Sequence, residues 1–234
     1  MTKLLTILII VTSHGHIGTS NEQTGVWLEE LTTPYYAFKD AGYDVEIVTV
    51  SGGDVPIDPR SLSDEEKPDS VVRYMNDDTL QAAIKGTKSA EKIDPSHYAA
   101  VFFPGGHGTM WDYPNNETLA GIITATLAQN KPVAAVCHGP AVFVGVNDQN
   151  GNPIIKGKKI SAFTDSEEAA VGLTEKVPFL LETKLKELGA KIVKTDDFQP
   201  KAIADGNIIT GQNPPSSADV ARLVIETLKS STEK

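Results

Sequence analysis

VAAVCHGPAVF, residues 133–143, joins an apolar run to a Cys-His-Gly-Pro turn and a second apolar run. It holds the only cysteine in 234 residues. A buried structural cysteine is a small hydrophobe whose place Ala or Val can take. This one stands where a strand stops and a short helix starts. At such a junction a tight turn pushes a side chain into the open, as in a nucleophile elbow. Pro140 suits the first turn of that helix, where no amide donor is needed. The amide dipoles of the helix favour an anion, so the Cys137 thiol is expected to ionise below the free-thiol value of about 8.5. Two readings stand at this point: a nucleophile on an elbow, and a structural cysteine that ends a strand.

Working outward, short β-rich runs alternate with amphipathic helical stretches. The run 4–11 reads as a buried first strand rather than a signal peptide, because no small-residue cleavage site follows it. Residues 24–42 read as a helix with Thr24 as N-cap, Gly42 as stop and a kink or interruption at Pro34. A strand is expected over 43–50, an irregular excursion over 51–75 and a short helix over 77–86. Then come a strand (98–104), a helix (116–130), a strand (132–136) and a short helix after Gly139. Residues 151–164 read as one or two strands, 177–189 as a helix and 190–195 as a strand. The Asp205-Gly206 pair marks a hairpin within 202–211. A serine-capped helix over 216–230 closes the chain. Apolar strands separated by helices predict an α/β fold, a mostly parallel sheet covered on both faces. One domain over 1–234 is expected, with no repeat and no linker. In such sheets ligands bind beyond the carboxyl ends of the strands. The loops "SHGHIG" (13–18), "GGHG" (105–108) and "CHGP" (137–140) occupy that edge.

Composition narrows the function. The net charge of −10 argues against a nucleic-acid partner, which needs a basic surface. No basic amphipathic stretch offers itself to a membrane. A single cysteine forms no internal disulfide, which fits a reducing, cytoplasmic address. The five histidines are His14, His16, His97, His107 and His138. None lies beyond Cys137 except its neighbour, so a papain-like or glutamine-hydrolysing arrangement with a distant downstream imidazole is absent. His14, His16 and His107 offer a weak zinc pattern; the site is expected to work without metal. The glycines of "GGHG" let backbone approach a ligand, and the Gly106 and His138 amides are candidates for an oxyanion hole, with His107 beside them. Glu29 and Glu30 sit in an otherwise apolar helix start; one should face inward, where a buried carboxyl stays protonated and can carry a proton. Glu167 and Glu168 are equally ambiguous from their residues alone.

Taken together, "AAVCHGPAVF" (134–143), "FPGGHGTMWDYP" (103–114), "TGVWLEELTTPYYAF" (24–38), "SAFTDSEEAAVGL" (161–173) and "ITGQNPPSSADVA" (209–221) resemble the ThiJ/PfpI superfamily. The likeness spans roughly residues 5–228 and is strongest to the heat-shock, glutathione-independent glyoxalase III branch, which has chaperone-like members. The resemblance implies a flavodoxin-like three-layer sandwich, usually a homodimer. It implies Cys137 as nucleophile, His138 as its imidazole, Glu168 as the third member (Glu167 being one residue away), Glu30 as the buried glutamate beside the thiol, and Gly106 as the oxyanion-hole glycine. The implied activity converts a small dicarbonyl, methylglyoxal, to lactate through a cysteine hemithioacetal, with no cofactor. The rivals are a deglycase, hydratase or peptidase on the same cysteine, and a holdase or redox sensor without turnover.

Overall fold

The structure is a computed structural model that describes residues 5–63 and 67–232. The first part of the expected 4–11 strand and the middle of the 51–75 excursion therefore lie outside the described residues. The described residues form ten strands: β1 (Thr6–Val11), β2 (Asp44–Thr49), β3 (Ser51–Gly53), β4 (Thr87–Ser89), β5 (Ala100–Phe103), β6 (Val133–Val136), β7 (Lys159–Ile160), β8 (Lys191–Ile192), β9 (Ala202–Asp205) and β10 (Ile208–Gly211). The α-helices are α1 (Leu28–Asp40), α2 (Asp69–Met75), α3 (Asp78–Ala83), α4 (Thr109–Asp112), α5 (Glu117–Ala128), α6 (Asp165–Ala170), α7 (Leu181–Glu187) and α8 (Ser217–Thr232).

Eight strands form one sheet in the order β3-β4-β2-β1-β5-β6-β10-β9. The six central strands run parallel, and β3 and β9 add antiparallel edges. Side chains alternate across this sheet and build a core on each face. Leu8, Ile10, Val101, Phe103 and Val133 pack towards Ile122 and Ile123 of α5. Ile7, Ile9, Phe102, Ala134 and Val136 pack towards Leu31 and Phe38 of α1 and Val224 of α8. Burial on both faces explains why these strands are continuously apolar. The α/β sandwich expected from the sequence is the observed fold.

The chain runs outward from β1 through β2 to β4, then returns to the other side of β1 with β5. The order reverses between β1 and β5, which opens a crevice at the strand ends. The loops after β1, β5 and β6 border it.

Several local expectations are corrected. Helix α1 starts at Leu28, not Thr24, and has no side-chain cap; the Thr24 hydroxyl instead donates to Asp58 Oδ2 at 2.8 Å. The helix continues through Pro34. The element after Cys137 is a single 3-10 turn, Gly139–Phe143, not an α-helix. Residues 151–164 do hold one short strand, Lys159–Ile160, which pairs with β8 outside the main sheet. Helix α7 begins at Leu181, four residues later than 177–189 implies. Ser216 closes a 3-10 turn capped by Asn213 rather than capping α8. The 51–75 excursion contains both β3 and α2. The Asp205-Gly206 turn does join an antiparallel pair.

Candidate active site

Cys137 adopts φ 60°, one of four left-handed non-glycine residues among those described. That conformation costs about 1–2 kcal/mol for a residue with a Cβ. Hydrogen bonds on both sides hold it: Cys137 N donates to Gly211 O and Phe163 N donates to Cys137 O, both at 2.9 Å. Strain of this kind persists where surrounding structure over-determines it, and it clusters at functional sites. The turn delivers the thiol to a cavity of about 330 Å³ beyond the strand ends. Trp27, Glu30, Arg60, Gly106, His107 and His138 are among the residues that line it.

The neighbouring imidazole folds back on the thiol. His138 Nδ1 lies 3.4 Å from Cys137 Sγ, and its Nε2 lies 2.7 Å from Glu168 Oε2. The other carboxylate oxygen, Oε1, meets His107 Nε2 at 2.7 Å. The two imidazoles beside it hold the Glu168 carboxyl far below its ordinary range, against the opposing effect of burial. An ionised Glu168 only accepts, so both histidines present Nε2–H to it. In the neutral imidazole this leaves His138 Nδ1 as the acceptor facing the thiol. His107 Nδ1 accepts from Arg60 Nη2 at 3.2 Å, which fixes the same tautomer there. Burial lowers the His107 pKa to about 4, with the neighbouring His138 adding to the effect. Arg60 also donates Nε and Nη2 to Asp58, at 3.0 and 2.6 Å.

Glu30 is wholly buried on the first turn of α1. Its Oε2 accepts from Gly105 N at 2.7 Å, while Oε1 has no partner among the described residues. Burial pushes this carboxyl well up, which favours its protonated form. It faces Cys137, whose thiol is pushed up too, first by burial and then by Glu30. The lowered thiol pKa expected from the sequence is thus corrected. The residue is only 3% exposed, at the floor of the cavity, and one short 3-10 turn supplies little dipole. His138 N–H at the elbow acts the other way but does not prevail.

Glu167 and Glu168 part company. Thr164 and Glu167 form a reciprocal capping box at the start of α6. Glu167 further accepts from Phe198 N, Gln212 Nε2 and Asn213 Nδ2, at 2.7, 3.2 and 2.9 Å. It clasps the loop before β9 to the sheet, and Glu168 alone of the two meets the histidines. The pattern Thr164-x-x-Glu167 is a capping-box signature and could have separated them in advance. Gly106 lines the cavity at φ 98°, where a Cβ would stand 2.2 Å from Gly25 O. His14 and His16 stay away: His14 stacks on Trp111, and neither lines the cavity. The zinc pattern with His107 is therefore not assembled. Among the described residues the group close enough to hold a metal ion is His107, His138 and Glu168, with ligand atoms within 4.8 Å. Both Nε2 atoms already meet the carboxylate. The roles of Asp58 and Arg60 had no signal in the sequence beyond a turn.

A doubly wound α/β sheet whose strand ends bring a thiol, two imidazoles and a buried carboxyl to one cavity, with a second carboxyl hydrogen-bonded to both imidazoles, defines a cysteine-elbow protein. More closely, the chain belongs to the DJ-1/PfpI family, whose family model matches residues 23–227. It is 35% identical over 233 residues to glyoxalase 3 of Candida albicans, covering 95% of this chain and 98% of that one. It is 32% identical over 232 residues to the glutathione-independent glyoxalase HSP31 of Saccharomyces cerevisiae, covering 95% and 98%. The structure of the Francisella tularensis rapid encystment protein of 24 kDa superposes with a TM-score of 0.92 at 40% identity, covering 96% and 99%.

Proposed function

We propose that this protein is a glutathione-independent glyoxalase that converts methylglyoxal to lactate. The observation that carries the reading is the placement of a thiol beside an imidazole nitrogen at 3.4 Å and a wholly buried carboxyl, inside one cavity. Full-length similarity to proteins named as such glyoxalases supports it.

A thiol held neutral by burial needs its proton removed as it attacks. His138 Nδ1 takes that proton while Sγ bonds to the aldehyde carbon, and Glu168 stabilises the imidazolium. Glu30 gives its proton to the aldehyde oxygen, which completes the hemithioacetal. The Glu30 carboxylate then removes the hydrogen from the former aldehyde carbon. The electrons form an enediol as the imidazolium protonates the ketone oxygen. Glu30 returns its proton to the second carbon and His138 takes the one on the first hydroxyl, leaving a lactyl thioester. Water releases lactate and restores the thiol, so methylglyoxal and one water give lactic acid. The Gly106 and His138 amides are the candidate donors to developing oxyanions.

Incubating the protein with methylglyoxal without glutathione should yield lactate, and Cys137→Ala should abolish it. Turnover retained in that variant excludes the scheme. No helix among the described residues is long and apolar enough to cross a membrane. A cytoplasmic address and a homodimer complete the reading; light scattering should give about twice 25.1 kDa.

A further inference from the structure

The cavity is larger than a three-carbon substrate requires. At roughly 30 Å³ per heavy atom, water's share of liquid volume, the five heavy atoms of methylglyoxal fill about 150 Å³. The cavity measures about 330 Å³. Its inner end carries the reacting groups. Apolar side chains make up much of the rest of its lining: Phe163, Val171, Phe198, Pro214 and Pro215 together with Trp27, beside the polar Glu29 and Arg60. An aromatic series leads outward from the chemistry. Phe163 packs on the His138 ring with centroids 4.4 Å apart, and Phe198 meets Phe163 edge-on at 6.4 Å.

The rim is apolar at some expense. Val171 is 39% and Phe198 42% exposed, two of the six large hydrophobic side chains left exposed among the described residues. Phe198 is also left-handed, at φ 59°. A bulky residue is unfavourable in that conformation, which glycine adopts freely. The buried Glu167 carboxylate secures it through Phe198 N–H. A strained, solvent-facing ring clamped over a cavity mouth is the kind of outlier that points to contact with a ligand.

Charge restricts what that ligand is. Glu168 is ionised, and the Arg60 guanidinium that lines the cavity is paired with Asp58. Glu29 adds a further acidic side chain to the lining. An anionic substituent would meet Glu29 and a guanidinium whose charge Asp58 already balances.

From these observations we infer that the site accepts uncharged α-oxoaldehydes carrying an aryl or comparably bulky apolar arm, with the arm seated between Phe163, Val171 and Phe198. The identity of the reacting head rests on the glyoxalase reading; the apolar subsite does not. Phenylglyoxal, with ten heavy atoms, would fill about 300 Å³ on the same scale.

The test separates the two. Alkylation of Cys137 by iodoacetamide is timed in the presence of acetophenone or acetone, ketones that differ by the ring and undergo no turnover. Acetophenone should protect at a concentration lower by about tenfold or more, the effect of burying a phenyl ring against aromatic side chains. Phe198→Gly keeps the backbone conformation and removes the ring, so this advantage should fall to about threefold or less. Val171→Ala should reduce it as well. In parallel, lactate and mandelate are measured from an equimolar mixture of methylglyoxal and phenylglyoxal, and the mandelate share should drop in both variants. Equal protection by the two ketones in the wild-type protein overturns the subsite, even where methylglyoxal is turned over. An acetophenone advantage that survives both substitutions overturns it too. Ring-dependent protection without any lactate formed supports the subsite and removes the glyoxalase reading instead.

Discussion

At the scale of single residues, the adjacent pair Glu167 and Glu168 divides structure from chemistry. Glu168→Gln keeps the shape but removes the charge that orients two imidazoles, and should lower kcat by about 10²–10⁴ as well as Tm. Glu167→Gln should lower Tm and spare kcat. It leaves amides of Phe198 and Thr164 with poorer acceptors and should destabilise by about 1–3 kcal/mol while kcat stays within about tenfold. Steady-state kinetics beside thermal melts decide both. Glu30 makes a pH-dependent prediction. Its carboxyl stays protonated in the fold well above the ordinary 4.5. The unfolded chain ionises there, so this residue's contribution is complete below about 4.5 and is lost as pH rises. Glu30→Gln removes that loss. Its Tm should match wild type near pH 4 and exceed it by about 2–4 °C per kcal/mol regained at pH 8. His107 and Glu168 act in the opposite sense, losing stability towards acid, and cancel in this comparison because both proteins carry them. Of this site, the thiol and its elbow were legible because a lone cysteine at a strand end is conspicuous. The Glu168 assignment came from family resemblance, and the Arg60–His107 arm was invisible because partners 47 residues apart meet only in the fold.

At the scale of elements, the site depends on two parallel strands ending level. Phe103 of β5 pairs with Ala135 of β6, so "GGHG" and the cysteine turn leave the sheet side by side. The backbones then approach too closely for a side chain. A Cβ on Gly105 would lie 2.7 Å from both Glu30 Oε2 and His138 N. Gly106→Ala meets Gly25 O as well as an unfavourable φ, and should cost about 2–4 kcal/mol. Gly53, also left-handed at φ 94°, has open space around its Cβ position. Gly53→Ala should cost only about 1–2 kcal/mol. Urea melts of the two variants measure the difference, and equal losses would deny that close approach sets the elbow. The central strands and α5 were readable because continuous apolar runs and an Asn116 cap are local signals. The start of α1 was not, since Thr24 has a distant partner in Asp58 that outcompetes the local cap. The short β7–β8 pair likewise depends on tertiary contact.

At the scale of the whole molecule, one eight-stranded sheet carries a core on each face, and β6 contributes to both. We propose that the chain unfolds as one unit. Trp27 and Trp111 fluorescence and far-ultraviolet circular dichroism should then give coincident urea transitions; two separated midpoints would argue for two units. This layered architecture was the most legible feature of the sequence, because strand burial on both faces writes itself directly into composition. The charge state of the thiol was the least legible, because burial by residues far apart in the chain governs it. The central claim is that Cys137 bonds to the substrate while Glu30 carries the proton from carbon to carbon. Intact-mass analysis of Glu30→Gln mixed with methylglyoxal tests it directly. The account predicts one methylglyoxal mass retained on the Cys137 peptide with almost no lactate formed. Lactate released at the wild-type rate, or an adduct that persists when Cys137 is replaced by Ala, would contradict it.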